Sequence, residues 1–246
     1  MDLLSKDQEW WIPTEHGLYR YPRLAKFVDI ENAAPKNIYS TATGLLGEQI
    51  FNMFEDSRGD IWFTIVGVRH SFLRWQRSSN SIIATNDDDG LPRYNGPISF
   101  VEDRQGDVWF GHYFGGLARY RTGRYIVFGE QNGLPQGQIG DLFIDSSGRL
   151  WIATSGRGLL RIDDTSVDTP EFQSISTADG LSSDKIICLT EDRFGRIYAG
   201  TGPGDRPDQR KWHDRYFHTG GWFTEQLHNT MGGVRPFIFA DRTVLE

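Results

Sequence analysis

The chain has 246 residues, 38% apolar and 13% aromatic with eight Trp, which is ample material for a packed core. Its net charge of −7 is spread along the sequence, which excludes the basic stripe that a nucleic-acid groove requires. Apolar runs are far too short to span a bilayer, so no membrane contact is expected, and the start lacks the basic and apolar regions of a signal peptide.

Taken in chain order, the segments read as short strands. Trp11 and then Arg20, each within an apolar stretch, open the pattern. "QIFNMFED", the turn "SRG" and "DIWFTI" follow, and the hairpin returns as "EDRQGDVWF", "IDSSGRLWI" and "EDRFGRIYA". "GGLARY" and "GLLRI" supply third strands after Gly-rich turns, and "RYIVFGE" and "EFQSIST" supply fourth strands. No long apolar period of 3.6 occurs, so helices are expected to be minor. Cys188, the single cysteine, excludes an internal disulfide and falls in the strand pattern "KIICLTED" as an inert thiol.

Three columns repeat in register. The aromatic that ends the phrase is Trp11, Trp62, Trp109, Trp151 and Tyr198, in steps of 62−11 = 51, 109−62 = 47, 151−109 = 42 and 198−151 = 47 residues. Before it come Gly44-Leu45, Gly90-Leu91, Gly133-Leu134 and Gly180-Leu181; after it come Arg20, Arg74, Arg119 and Arg161. A period of this length, with four short antiparallel strands per unit, predicts an all-β fold: an incomplete β-propeller of about four to five four-stranded blades. The Gly is expected to close the first hairpin and the Trp to fill the space between blades. The acidic residue before the turn is expected to accept backbone N–H bonds. The spacing from Asp56 to Gly59 and Trp62 is one residue longer than in the Asp-box of sialidases, which demotes that reading.

The combined pattern resembles the two-component regulator propeller repeat, most closely at 89–120 and 132–162, and the resemblance covers roughly residues 7–204. It implies the extracytoplasmic, periplasmic sensor region of bacterial histidine kinases and hybrid two-component regulators. The expected role is therefore signal reception without catalysis, with no cofactor and with a small-molecule or oligosaccharide ligand. The family generally uses about seven blades, so the chain is expected to enter mid-blade and to lack further blades and the output domains of the parent protein. "TIVGVRHSFLRW" departs from the pattern, with Ser71 and Phe72 where Gly and Leu are usual. An open stack exposes strand edges and apolar faces, so the isolated chain is expected to be aggregation-prone.

After "YAGTG" the alternation stops, and residues 205–246 form a divergent tail rich in Arg, His and Trp. Composition changes inside a blade, where no linker belongs. A one-base shift of reading frame at Pro203 accounts for this, since the shifted frame permits an Arg column and a further Gly-Leu connection; a genuine divergent tail is the alternative.

Propeller ligands sit at one mouth of the channel, on the loops entering each first strand and those between second and third strands. These loops offer Arg69, His70, Arg93, Tyr94, His112, Tyr113, Phe114, Gln136, Gln138, Arg157, Asp184 and Lys185. Aromatic faces beside amide and guanidinium donors suit sugar-like or acidic ligands. "TNDDDGL" offers carboxylates but falls on the Gly-Leu column and lacks a remote bidentate Glu, so it reads as an acidic turn and no metal is expected. A rival class is a propeller lyase or hydrolase acting on glycans, with His70 and His112 pairing across the channel as acid and base. A protein-binding scaffold is the third.

Overall fold

The computed structural model describes residues 2–201 and the strands Asp214–His218 and Gly221–Glu225. Five sheets of four antiparallel strands follow one another, each with its strands in sequence order. Blade 1 comprises Leu3–Leu4, Trp10–Thr14, Gly17–Tyr21 and Asn37–Tyr39. Blade 2 comprises Ile50–Glu55, Ile61–Ile65, Phe72–Gln76 and Ser81–Ala84, and blade 3 Pro97–Glu102, Val108–His112, Leu117–Arg121 and Arg124–Phe128. Blade 4 comprises Ile139–Ile144, Leu150–Thr154, Leu159–Ile162 and Gln173–Ile175; blade 5 comprises Ile186–Glu191, Ile197–Thr201 and the two strands at 214–218 and 221–225. The fold is the expected β-propeller of four-stranded blades. Blade 1 has a first strand, although only two residues long, where the sequence reads as entering mid-blade. The remainder of the 205–246 tail, and with it the reading-frame question, lies outside the described residues.

The repeated phrase builds one knot per blade. The Asp103 carboxylate accepts from the amides of Gln105 and Asp107 through one oxygen and from the Trp109 indole N–H, at 2.7 Å, through the other. Asp56 does the same with Arg58, Asp60 and Trp62, and Asp145 with Ser147, Arg149 and Trp151. The expected backbone bonds are therefore present, and the indole joins them. This explains how Tyr198 substitutes in the last unit: its hydroxyl donates to Asp192 at 3.0 Å. In blade 1, Ser5 stands in for the acid and accepts from the Glu9 amide.

The Arg column completes the knot. Trp11 pairs with Arg20 across the hairpin, Trp62 with Arg74, Trp109 with Arg119 and Trp151 with Arg161. Directly opposed residues share a face, and each guanidinium lies 4.9–5.3 Å from its indole centroid. A cation over a desolvated Trp face gains about 2 kcal/mol. Trp62, Trp109 and Trp151 are fully buried against the following blade, where they meet Phe110, Ile152 and Ala199 among others.

Blades are also latched at the turn. Glu102 accepts from the Ser57 amide and hydroxyl of the preceding blade, and Glu191 accepts identically from Ser146. Blade 4 carries Ile144 at this position. There blade 3 reaches across instead: Arg104 donates to Ser146 O, Arg119 to Thr165 O and Val167 O at 2.8 Å, and Arg121 to Ser166 O and Thr165 O. The Gly-Leu column ends a 3-10 turn before the first strand of each of blades 2–5. Gly44, Gly90, Gly133 and Gly180 take φ of 70–104°, a region that costs other residues strain, while Leu45, Leu134 and Leu181 plug the core. Asp89 of the acidic turn closes its own cap by accepting from the Asn86 amide.

Two outcomes follow from the knots. Trp62→Ala should lower stability by about 3–5 kcal/mol in urea denaturation, through the void it leaves. Burial pushes the Asp145 carboxyl up, but hydrogen bonds from Trp151 and Arg149 outweigh it and hold the group below its ordinary 3.8. Its stabilisation is thus present above that value and is lost as pH falls through the lower folded value. Asp145→Asn should be less stable at neutral pH yet show a flatter acid limb in urea midpoints.

Candidate functional site

The loops entering the first strands and those between second and third strands meet along one rim, bonded to each other in sequence. The Tyr94 amide of blade 3 donates to Arg69 O of blade 2. Tyr113 N donates to Gly96 O, and Ser155 N to Gln138 O. Gly156 N and Gly158 N both donate to Asp184 O of blade 5, at 3.0 and 2.8 Å. Gly115 and Gly137 approach so closely that a Cβ on Gly115 would meet Gly137 O at 2.9 Å, which requires glycine in "FGG".

Asn95 laces the centre of this rim. Its side chain donates to Gly115 O and accepts from the Phe114 amide at 2.7 Å, so loops 92–96 and 112–116 hold a single arrangement. On them stand three outward aromatic rings: Tyr94 (65% exposed), Tyr113 (50%) and Phe114 (72%). Tyr113 and Phe114 meet edge to face at 4.9 Å. Tyr94 sits at φ 54°, a conformation few non-glycine residues adopt, which the Arg69 and Asn95 bonds sustain.

His112 belongs to the foundation of the rim. It is 1% exposed, so its ring does not share the outward surface on which it was expected. Its Nδ1 lies 2.5 Å from Asn95 O. A carbonyl only accepts, so Nδ1 carries the proton, and Nε2 is buried with no hydrogen-bond partner. Burial lowers its pKa from 6.5 to about 4, against the Asn95 bond, which raises it. His112 is accordingly neutral at pH 7 and does not act as a charged partner for His70.

The second part of the rim is an open cleft of about 460 Å³ lined by Glu130, Gly133, Leu134, Pro135, Gln136 and Arg157. Arg157 is exposed at the tip of "SGRG", with the amides on either side of it anchored on Asp184 O. The Asp184 carboxylate accepts from the Thr177 amide and hydroxyl, which makes it an organiser of the rim. Arg69, Arg93, Gln136 and Lys185 are exposed on these loops, while His70 and Gln138 are half-buried. The structure thus gathers Tyr94, Tyr113 and Phe114 in one cluster and Gln136 with Arg157 in another. Sequence reasoning missed Asn95 and Glu130. The Asn-Gly pair at 95–96 was the available signal for the first; Glu130 carried none beyond its place before the Gly-Leu column.

Among the described residues, no helix is long and apolar enough to cross a membrane, and no group of His, Cys, Asp and Glu is placed to hold a metal ion.

Residues 133–156, which include most of the cleft, match the family model described as two component regulator propeller. No curated protein matches the chain. Among solved structures, the extracellular domain of the putative hybrid two component system BT4673 from B. thetaiotaomicron is similar, with 18% identity and a TM-score of 0.61, over 91% of this chain and 30% of that one. Virginiamycin B lyase from Staphylococcus aureus is similar at 14% identity and TM-score 0.64, over 93% of this chain and 69% of that one. An ancestral GH74 enzyme follows at 12% and 0.58, over 91% and 30%. At these identities the likeness concerns the propeller fold. The chain spans about a third of the length of the extracellular domains it resembles.

The buried placement of His112 has a direct test. A histidine buried neutral binds its proton more weakly folded than unfolded, so its stabilisation is complete above about pH 6.5 and is lost as pH falls towards 4. In NMR titration, the His112 ring signals should stay unchanged from pH 8 to 5, whereas a midpoint near 6.5 would contradict the buried placement.

Proposed function

We propose that the chain is the ligand-sensing part of an extracytoplasmic two-component regulator propeller, binding its ligand at the rim without turning it over. The observation that carries this reading is the trio of exposed rings Tyr94, Tyr113 and Phe114 on loops fixed by Asn95, beside a cleft with Arg157, Gln136 and Glu130. Preformed aromatic faces take the C–H faces of sugars, and guanidinium, amide and carboxylate groups pair with hydroxyls, so an oligosaccharide fits this surface. Loops held in one arrangement by their own hydrogen bonds lower the conformational cost of binding.

The family match at 133–156 and the likeness to an extracellular two component domain support the regulator assignment and the extracytoplasmic location. In this reading the remaining blades and the output modules come from other parts of the regulator. Against the rival lyase or hydrolase reading stands His112, one of the two histidines it relies on, which is buried and neutral at pH 7.

The test is calorimetric binding of a panel of neutral and acidic oligosaccharides to the chain. Phe114→Ala and Arg157→Ala should each weaken binding about tenfold, equivalent to ~1.4 kcal/mol, with no product formed. Unchanged affinity in both variants, or release of cleaved sugar, would overturn the proposal.

A further inference from the structure

In blades 2–5 the loop entering the first strand begins with a 3-10 turn, and in two of them the first residue of that turn is tied to an acid further along. The Thr41 hydroxyl donates to the Glu48 carboxylate at 2.9 Å, seven residues on. Thr177 donates its amide and its hydroxyl to the Asp184 carboxylate at 2.6 and 3.0 Å, again seven residues on. The same two positions in blade 4 are Glu130 and Gly137. Gly137 takes φ 131°, a conformation that resists a side chain, so this latch has no acid at its second position. The carboxylate stands instead at the first, where blades 2 and 5 carry Thr, and the cleft of about 460 Å³ opens beside it.

The two charged residues of this cleft are unmatched. The Glu130 carboxylate and the Arg157 guanidinium form no hydrogen bond or ion pair among the described residues, with each other or with any neighbour. Their backbones, by contrast, are fixed. Glu130 O accepts from the Gly133 amide at 2.9 Å, and the amides on either side of Arg157 are anchored on Asp184 O. Gln136 adds an uncharged amide to the lining, and Leu134 and Pro135 add apolar surface. A neutral ligand takes water from both charges and returns a full charge to neither. An anion matches Arg157 but meets Glu130, and a cation does the reverse. Like charges brought together and charges left unpaired both count against a ligand. Only a ligand of both signs matches both groups.

We propose that the cleft takes a sugar unit carrying both a cationic amino group and a carboxylate, with the amine against Glu130 and the carboxylate against Arg157. This occupant presupposes that the rim is the ligand-binding surface, and it narrows the oligosaccharide to one with a zwitterionic unit. The exposed rings of blade 3 then hold neighbouring sugar faces, while the paired charges of blade 4 select among sugars.

A set of single-unit probes separates the charges: muramic acid carries both, N-acetylmuramic acid the carboxylate alone, glucosamine the amine alone and N-acetylglucosamine neither. Each is titrated into the full chain and followed by protein NMR, at mildly acidic pH so that the amines keep their protons. Muramic acid should bind about tenfold more tightly than each of the others. Glu130→Gln should erase its advantage over N-acetylmuramic acid, and Arg157→Gln its advantage over glucosamine. Equal affinity for all the probes, or a preference for muramic acid that survives both substitutions, would overturn the proposal. Equal affinity alongside an oligosaccharide that binds and depends on Phe114 would sink the zwitterion and leave sugar sensing intact. Absence of binding by every probe and every oligosaccharide would sink both.

Discussion

One buried carboxylate in each of blades 2, 3 and 4 carries the architecture. An aspartate at the mouth of a tight hairpin gathers two turn amides and an indole N–H, so the turn, the strand and the large side chain that joins two blades are fixed by a single group. An ionised carboxylate is expensive to bury alone, and charge-assisted bonds to three N–H donors offset that cost. The Trp then serves two surfaces: its N–H belongs to its own turn, and its ring faces the next blade beneath a guanidinium. Removing the acid therefore affects both the hairpin and the interface.

The knot also explains which variations the repeat tolerates. Tyr198 keeps a donor that reaches Asp192, and Ser5 keeps an acceptor for the amide four residues on. What changes is the size of the aromatic and the charge of the acceptor; the bond to the amide four residues on persists. Ile144 is a different kind of departure, because an aliphatic side chain cannot accept the turn amide, which here is that of Arg104. There the connection between blades passes to three arginines, Arg104, Arg119 and Arg121, which donate to backbone carbonyls of blade 4.

The blade architecture was legible because it is written several times over: Trp, Gly-Leu and Arg columns in register leave little freedom in strand order. The partners of the Arg column were not, since a cation–π pair across a hairpin depends on which residues the register sets opposite, and the turn length decides that. The rim was legible as a set of loops, because strand topology alone places them at one end. Which of its side chains face outward was hidden. His112 and Tyr113 are adjacent in sequence and of similar polarity, yet one is buried under Asn95 and the other is exposed, because alternation along the strand end turns successive side chains to opposite sides.

The candidate site and the departure at Ile144 coincide on blades 3 and 4. The aromatic trio belongs to blade 3 and the cleft to blade 4, and between them lies the interface where arginines replace the glutamate latch. Arg119 is fully buried and bonded to two carbonyls of the loop around Thr165, and Arg121 adds two more bonds to that loop. Loops that present rings and charges to a ligand hold their geometry only as well as the sheets beneath them hold theirs. A cross-linked interface at the opposite, hairpin-turn end of the two blades therefore limits their relative movement, and Phe114 and Arg157 stand on loops whose spacing is set by the packed sheets between. In a stack of near-identical blades, blades 3 and 4 are thus set apart at both ends, by the exposed rings held by Asn95 above His112 at the rim and by the arginine contacts at the turns.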